Sequence, residues 1–328
     1  MKNEMQGNAL LSVRVARKQA EAEGICTFEL RDVDNRRLPA FTAGAHVDVH
    51  VAPGIVRQYS LCSDPRNCSH YLIGVLKEPG SRGGSRGMHE KIHEGDLLHI
   101  SVPANHFALQ PARKTLLFAG GIGITPIICM AEQLSAEGAD FSLHYCVRSL
   151  PKAAFLARME AAPYSRAVHL HVDDTPPAER FDPAAILRDA APDSHLYVCG
   201  PAGYVAWITQ AARDADYPPQ QVHVEYFAAP GSPVFEDSDN ADFQVRIAST
   251  GRTYSIGSDQ TIVDALADCG VEIPVSCKEG VCGTCLTRVL DGEVDHRDYY
   301  LSQAEQACHD QMLPCCSRAK GRMLVLDL

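Results

Sequence analysis

The sequence predicts a multidomain chain that joins an antiparallel β-barrel, a parallel α/β sheet and a small α+β module. Three observations predict it. Short alternating stretches separated by turn residues fill residues 1–110. Apolar strands alternate with helical segments over residues 111–230. A cysteine-rich loop, flanked by strands and one helix, dominates residues 242–328. The chain has 328 residues and is 45% apolar, ample for real cores.

In the first module, His46-Val47-Asp48-Val49-His50-Val51 and Tyr71-Leu72-Ile73-Gly74-Val75-Leu76 read as barrel strands. Arg57-Gln58-Tyr59-Ser60-Leu61 lies between them. Gly80-Ser81-Arg82-Gly83-Gly84-Ser85 then opens into a short helix. A glycine-rich turn at a helix N-terminus offers free N–H groups to a phosphate. Alone it is more often just a turn, and the neighbouring Arg-x-Tyr-Ser run strengthens it.

In the second module, residues 114–119 read as a buried parallel strand. Gly120-Gly121-Ile122-Gly123-Ile124-Thr125-Pro126 follows, then a helix to about Glu137. Thr125 suits the N-cap, Pro126 the first helical position and Gly138 the stop. Further strands are expected at 141–147, 167–172 and 195–199. Ligands of such sheets bind at the C-terminal strand ends. The glycine run and Cys199-Gly200-Pro201 both fall there. The run is not the G-x-G-x-x-G fingerprint, so by itself it says only that an anion can dock on the helix.

Residues 231–241 are acidic, lack periodicity and read as a linker. Strands are expected at 243–249 and 253–256, and a helix at about 260–269 with Ile262, Val263 and Leu266 on one face. Residues 323–326 close the module as a strand.

Cys277, Cys282 and Cys285 form C-x4-C-x2-C, and Cys315 follows thirty residues later. This is the plant-type [2Fe–2S] spacing. Each iron is tetrahedral and takes two protein sulfurs besides two bridging sulfides. A structural zinc site usually draws on two short C-x2–4-C pairs, which this pattern is not. Gly280 and Gly283 let the loop wrap closely. Cys316, beside Cys315, is expected to be a small buried apolar residue. Such a cluster accepts one electron at a time, so the chain moves electrons.

The net charge of −11 argues against a nucleic-acid partner. Residues 231–328 hold 16 acidic and 8 basic residues, and residues 1–230 hold 25 and 22. The last third is therefore an acidic module, either merely soluble or shaped to meet a basic patch on a redox partner. Glu279, Asp295 and Asp298 are the candidate contacts, and His296 is expected to be structural or superficial. The thirteen cysteines show no disulfide framework. With a thiolate-bound cluster this fits a reducing cytoplasm. Met1-Lys2-Asn3-Glu4-Met5 lacks an apolar signal core, and no apolar run reaches the length of a membrane span.

In their order along nearly the whole chain, these motifs resemble the phthalate dioxygenase reductase family, a three-domain branch of the ferredoxin–NADP reductase superfamily. Asp295-His296-Arg297-Asp298 and the end Leu324-Val325-Leu326-Asp327-Leu328 also look like that family. The resemblance implies a β-barrel flavin domain (1–110), an α/β nicotinamide domain (111–230) and a β-grasp ferredoxin domain (242–328). It implies that Arg57 pairs with the flavin phosphate, that Tyr59 packs on the isoalloxazine and that Ser60 bonds near N5, with Leu61 completing the motif. Gly83, Gly84 and Ser85 would cradle the phosphate. Gly121, Gly123 and Thr125 would hold the dinucleotide pyrophosphate, with Cys199, Gly200 and Pro201 near the nicotinamide. Cys199 could equally be a buried strand-end thiol. Phe227 would cover the other flavin face and move aside for nicotinamide, or else be a core aromatic. Ser60, Cys199 and Phe227 are thus the candidate catalytic residues.

The flavin is expected to be FMN, because Arg57 and the glycine turn suit a terminal phosphate. NADH is favoured by the resemblance, although Arg148 leaves a 2′-phosphate possible. The implied function is an NADH-dependent reductase, cytoplasmic and monomeric, that feeds a Rieske-type oxygenase acting on an aromatic acid or a related small substrate. Flavin bridges a two-electron donor and a one-electron acceptor. The rivals are a free-standing flavin or ferric reductase, which needs no ferredoxin module, and a non-enzymatic iron–sulfur sensor.

Overall fold

The computed structural model describes residues 10–81, 83–173, 181–191, 193–229 and 241–328. The expected linker lies outside the described residues apart from Ala241, as does Arg82 of the glycine turn. The chain forms two compact units, Met1–Glu225 and Tyr226–Leu328.

The first unit begins with β1 (Leu11–Ala22), β2 (Ile25–Asp32), β3 (His46–Ala52), β4 (Ile55–Ser60), β5 (Tyr71–Leu76), helix α1 (Gly84–Lys91) and β6 (Leu97–Ile100). The six strands form an antiparallel sheet in the order β4-β3-β6-β1-β2-β5. A bridge between Leu61 and Ile73 joins the two outer strands and closes the barrel. Val13, Val15, Val47, Val49, Tyr71, Ile73 and Val75 alternate inward, as the two-residue strand period requires. Residues 57–60, expected between strands, are themselves strand, pairing Gln58 with Asp48 and Arg57 with Val49. Every residue from Ile55 to Tyr59 is half-buried, so no apolar alternation marks this strand in the sequence.

Next come β7 (Lys114–Gly120), α2 (Ile124–Glu137), β8 (Phe141–Val147), α3 (Leu156–Ala161), β9 (Val168–Val172), α4 (Pro183–Asp189), β10 (Ser194–Gly200), α5 (Ala202–Asp214) and β11 (Val222–Tyr226). The strands stack in the order β11-β10-β7-β8-β9. The β10–β7, β7–β8 and β8–β9 pairs are parallel. The entry to α2 differs from expectation. A 3-10 turn, Gly121–Gly123, runs straight into the helix, so Gly123 occupies the cap position. Thr125 sits inside the first turn, and its hydroxyl donates to the Ile122 carbonyl at 3.1 Å. Gly138 ends the helix at φ 68°, as expected.

Barrel and parallel sheet share one continuous core that runs from Val13 and Phe28 to Tyr145 and Tyr197. Hydrogen bonds tie the two halves. Phe155 N–H donates to Glu21 Oε1 at 2.8 Å, Gln110 N–H to the Tyr197 hydroxyl at 2.6 Å, and Ala43 N–H to Gln133 Oε1 at 3.1 Å. This packing fixes where β4 ends relative to β10.

The second unit contains β12 (Phe243–Ile247), β13 (Thr253–Ile256), α6 (Ile262–Asp268), β14 (Thr287–Asp291), β15 (Val294–Asp295), α7 (Gln303–Cys308), β16 (Gln311–Met312), β17 (Arg318–Ala319) and β18 (Met323–Leu326). A mixed sheet in the order β13-β12-β18-β14-β16 packs on α6, and β15 pairs with β17. This is the β-grasp arrangement. Thr261 caps α6 by accepting the Asp264 N–H. The buried Arg318 guanidinium donates to the carbonyls of Gln260, Gly257 and Ala241 and lies 4.9 Å from the Phe243 ring centroid. No described helix is long and apolar enough to cross a membrane.

The parallel sheet stacks imidazoles across adjacent strands, with His144 buried among them. His144 stacks on His169 at 4.8 Å and His171 at 5.5 Å, and His195 on His223 at 5.1 Å. Burial first, then neighbouring imidazoles, lowers His144 to about 3 and His171 and His223 to about 4. These values lie below the unfolded value of about 6.5. The unfolded chain therefore binds more protons, and stability falls as pH drops from about 6.5 towards about 4. Thermal unfolding monitored over that window shows a falling midpoint. His144→Phe makes the fall shallower by up to about 1.4 kcal/mol per pH unit. An unchanged slope in the variant contradicts this assignment.

Candidate functional site

The C-terminal ends of β4, β10 and β11 converge on one carboxyl group. The Ser60 hydroxyl donates to Glu225 Oε2 at 3.4 Å, and the Cys199 thiol donates to the same oxygen at 3.9 Å. Ser60 and Cys199 are both buried. Burial raises Glu225 to about 8, while its two hydrogen bonds act in the opposite direction. Burial, reinforced by Glu225, also pushes the Cys199 thiol well above its usual value. The thiol is therefore neutral, a donor and a packing group rather than a thiolate nucleophile. The sequence gives no periodic signal for Glu225. Its one signal is its place in Glu225-Tyr226-Phe227, which draws notice to the aromatic. Phe227 is 41% exposed, so it is not a core residue.

Arg57, on β4, lies against the glycine turn that begins α1. A Cβ on Gly84 would stand 2.5 Å from Arg57 Cγ and 2.7 Å from Nε. Gly83 takes φ 94° and offers no side-chain cap to the helix. The turn thus leaves its first N–H groups beside a guanidinium, which suits a phosphate. Ser85 is engaged locally, since its hydroxyl accepts the Glu78 N–H at 3.1 Å. The Tyr59 hydroxyl is buried without a hydrogen-bond partner. An orphaned buried hydroxyl fits a ligand group that completes it. Leu61, by contrast, is fully buried at the barrel closure and belongs to the core. Tyr59 and the Arg57–Gly84 cradle therefore fit a flavin phosphate ester.

At the α2 entrance, Gly121 takes φ 54° with open space around it. Gly123 packs on Cys199, where a Cβ would stand 2.2 Å from the carbonyl oxygen. Only glycine allows that approach. Thr125 is buried, and a Cβ on Gly74 would stand 2.8 Å from its methyl group. Its side chain is committed to packing and to Ile122, leaving the backbone to face a ligand. Tyr204 packs against both Gly120 and Gly200. Pro201 is the exposed cap of α5, and Arg148 is exposed just beyond β8.

In the second unit, Cys282, Cys285 and Cys315 are buried and Cys277 is half-buried. The thiols stand in two pairs. The Cys277 thiol, hydrogen-bonded to Cys282, raises the latter's pKa, and Cys315 does the same to Cys285. Among the described residues, no three His, Cys, Asp or Glu converge as they would on a single metal ion. A two-iron cluster asks for two thiolates per iron, which is the arrangement present. The Glu279 N–H points at Cys277 Sγ at 3.2 Å, a donor suited to a sulfur carrying charge. Gly280 and Gly283 take φ 71° and 72°. A Cβ on Gly283 would stand 2.3 Å from the Tyr300 ring, and one on Gly280 would stand 2.6 Å from Cys316 Sγ. Cys316 is therefore half-buried filler beneath the loop rather than a fully buried core residue.

The expected acidic face loses one member. The Asp298 side chain is wholly buried, accepting the Leu301 N–H at 2.8 Å and the Ser317 hydroxyl at 3.4 Å. Its neighbours conceal this in the sequence, because an Asp-His-Arg-Asp run reads as surface polarity. Asp295 pairs with Arg297 at 2.7 Å, and Glu279 accepts the Ala229 N–H at 3.4 Å. His296 is structural, with a side chain 6% exposed.

Gly283→Ala sets a side chain into both a left-handed backbone and the Tyr300 ring. The purified variant loses the visible absorption and the iron content of the cluster while keeping its flavin. Full iron content in that variant overturns the close-wrapping account of the loop.

The 2Fe-2S iron-sulfur cluster binding domain family matches residues 245–320. The chain is 49% identical over 321 residues to the vanillate O-demethylase oxidoreductase of Pseudomonas putida, covering 97% of this chain and 100% of that one. Among solved structures, phthalate dioxygenase reductase, described as a modular structure for electron transfer from pyridine nucleotides to [2Fe–2S], aligns with a TM-score of 0.72. That match is 37% identical and covers 98% of each chain. An intact type IV self-sufficient cytochrome P450 monooxygenase aligns at a TM-score of 0.88 and 37% identity over 97% of this chain, which spans only 41% of that larger one. The chain belongs to the phthalate dioxygenase reductase family and is an oxidoreductase, the reductase component of an oxygenase system, with a 2Fe-2S iron-sulfur cluster binding domain at its C-terminal end.

Proposed function

We propose that this chain takes a hydride from NADH at the Ser60–Glu225–Cys199 site and delivers single electrons through Cys277, Cys282, Cys285 and Cys315 to a Rieske-type oxygenase. The observation that carries this reading is the pairing of the four thiols. It supplies a one-electron exit that a free-standing flavin reductase does not need. The functional modules are 1–110, 111–230 and 242–328. Flavin, when bound, converts a two-electron input into one-electron steps, and the protein positions and tunes it.

The chain's own residues do the rest. Arg57 and the amides of Gly83 and Gly84 neutralise the flavin phosphate. Tyr59 walls the ring with its hydroxyl turned to a ligand group. Ser60 stands near the reacting edge with its hydroxyl held by Glu225. Gly121 and Gly123 allow the pyrophosphate to reach the start of α2, and Thr125 contributes its backbone. Cys199, Gly200 and Pro201 shape the nicotinamide end. Phe227, as the family resemblance implies, shields the flavin and yields to nicotinamide. Arg148 faces solvent where the adenosine ribose would lie, so NADPH use belongs in the same assay.

The oxygenase partner acts on a small aromatic acid, and the vanillate relative supports an O-demethylation. Glu279, bonded to Ala229, and Asp295, paired with Arg297, are the acids of the expected face that this reading keeps. A cluster held by four thiolates suits a reducing compartment.

Cys315→Ser loses cluster iron and cytochrome c reduction, yet its flavin still bleaches with NADH under anaerobic conditions. Cys316→Ser keeps all three. Heat-released flavin runs as FMN. Cluster loss in Cys316→Ser but not in Cys315→Ser overturns the ligand choice, and recovered FAD overturns the phosphate assignment.

A further inference from the structure

Helix α1 begins at the proposed phosphate cradle, and its far end rests on one lysine. Lys18 Nζ donates to the carbonyls of Met88 at 3.2 Å, His89 at 2.6 Å and Ile92 at 2.7 Å. These belong to the last turn of α1 and its C-terminal cap, where carbonyls lack a partner within the helix. An ammonium carries three N–H donors, so all of them serve this one helix end. Its positive charge also complements the negative end of the helix dipole.

Strand alternation alone would not bring Lys18 there. Val13 and Val15 point into the core, so an unbroken β1 would turn residue 18 outward. The β1–β2 register shifts between Val15 and Arg17, and such an irregularity re-aims the side chains beyond it. Lys18 then lies opposite Phe28, with its ammonium 5.3 Å from the ring centroid. Its own backbone N–H donates to Glu94 Oε1 at 2.8 Å. Two further ties hold α1. His89 Nε2 donates to the Val75 carbonyl at 2.8 Å, and a Cβ on Gly87 would stand 2.8 Å from Val51 Cγ1. A helix of eight residues is marginal on its own, so these ties decide whether its first turn stays formed. That first turn contains Gly84, which lies against Arg57.

We propose that Lys18 is a positioning residue for the flavin phosphate, acting through α1. By satisfying the last carbonyls it keeps a short helix formed, and so keeps the N–H groups of Gly83 and Gly84 beside Arg57. Without the ammonium those carbonyls lose their partner and the last turn loosens. The first turn must then be ordered again each time a phosphate binds. The effect reaches a ligand only through its phosphate. The inference rests on the proposed phosphate cradle. Comparing FMN with riboflavin, which lacks the phosphate, separates the failure of one from the failure of the other.

The full-length protein, stripped of flavin but keeping its cluster, is titrated with FMN and with riboflavin, and flavin fluorescence gives each Kd. Wild type binds FMN more tightly than riboflavin. Lys18→Met, which keeps the apolar stem, narrows that preference about tenfold, the scale of a charge held at a partly buried helix end, and leaves riboflavin binding unchanged. Lys91→Met removes an exposed charge from the same turn and leaves the preference intact. Equal binding of the two flavins by wild type sinks the cradle and the proposal with it. A preference that survives in Lys18→Met overturns the role of Lys18 alone. So does equal weakening of FMN and riboflavin, the mark of a merely structural residue. The same narrowing in Lys91→Met also overturns it, since charge without contact would then suffice. If Lys18→Met does not fold, Lys18→Gln, with two donors and no charge, decides by the same ratio.

Discussion

One buried carboxyl organises the first unit. Glu225 reaches Ser60 at the end of a barrel strand and Cys199 at the end of a central parallel strand. Burying a carboxyl is costly unless it is neutral or well paired, and a value near 8 leaves it neutral at ordinary pH. Its position depends on both halves of the unit at once. The shared core and the Glu21–Phe155 and Gln110–Tyr197 bonds fix the barrel against the sheet, and so bring the three strand ends together. The site is thus a product of packing between the halves rather than of either half alone.

Close backbone approach is the second constraint, and it recurs where charge must be held. Gly123 against Cys199, Gly84 against Arg57 and Gly283 against Tyr300 are all positions where a methyl group would collide. Two of them line the expected phosphate and pyrophosphate sites, and the third shapes the loop that surrounds the four thiols. The proposed sites of electron entry and exit thus share one device, close approach at glycine, in two different folds.

Much of this was legible in the sequence, for identifiable reasons. The strand Phe141–Val147 has its bounds set by an apolar run between a helix stop and a polar loop, and they match. The cysteine spacing carries its own chemistry, whatever the surrounding fold. The failures are equally specific. The strand Ile55–Ser60 is half-buried along most of its length, so it has no two-residue rhythm. Thr125 looks like a helix cap, but a 3-10 turn begins the helix earlier. Glu225 and Asp298 are acids whose sequence neighbours give no sign of burial, and only their long-range partners Ser60, Cys199 and Ser317 reveal it. Tertiary contacts of that kind leave no local signal.

The most direct test of the account is the anaerobic rate of flavin bleaching by NADH in a single turnover, measured across pH in wild type and Glu225→Gln. Above about pH 8 the wild-type carboxyl ionises and places a negative charge beside the proposed hydride-receiving edge. The account predicts a rate that falls through that pH in wild type and a flat profile in the variant. The same pH profile in both proteins would contradict the claim that electrons enter at Ser60, Cys199 and Glu225.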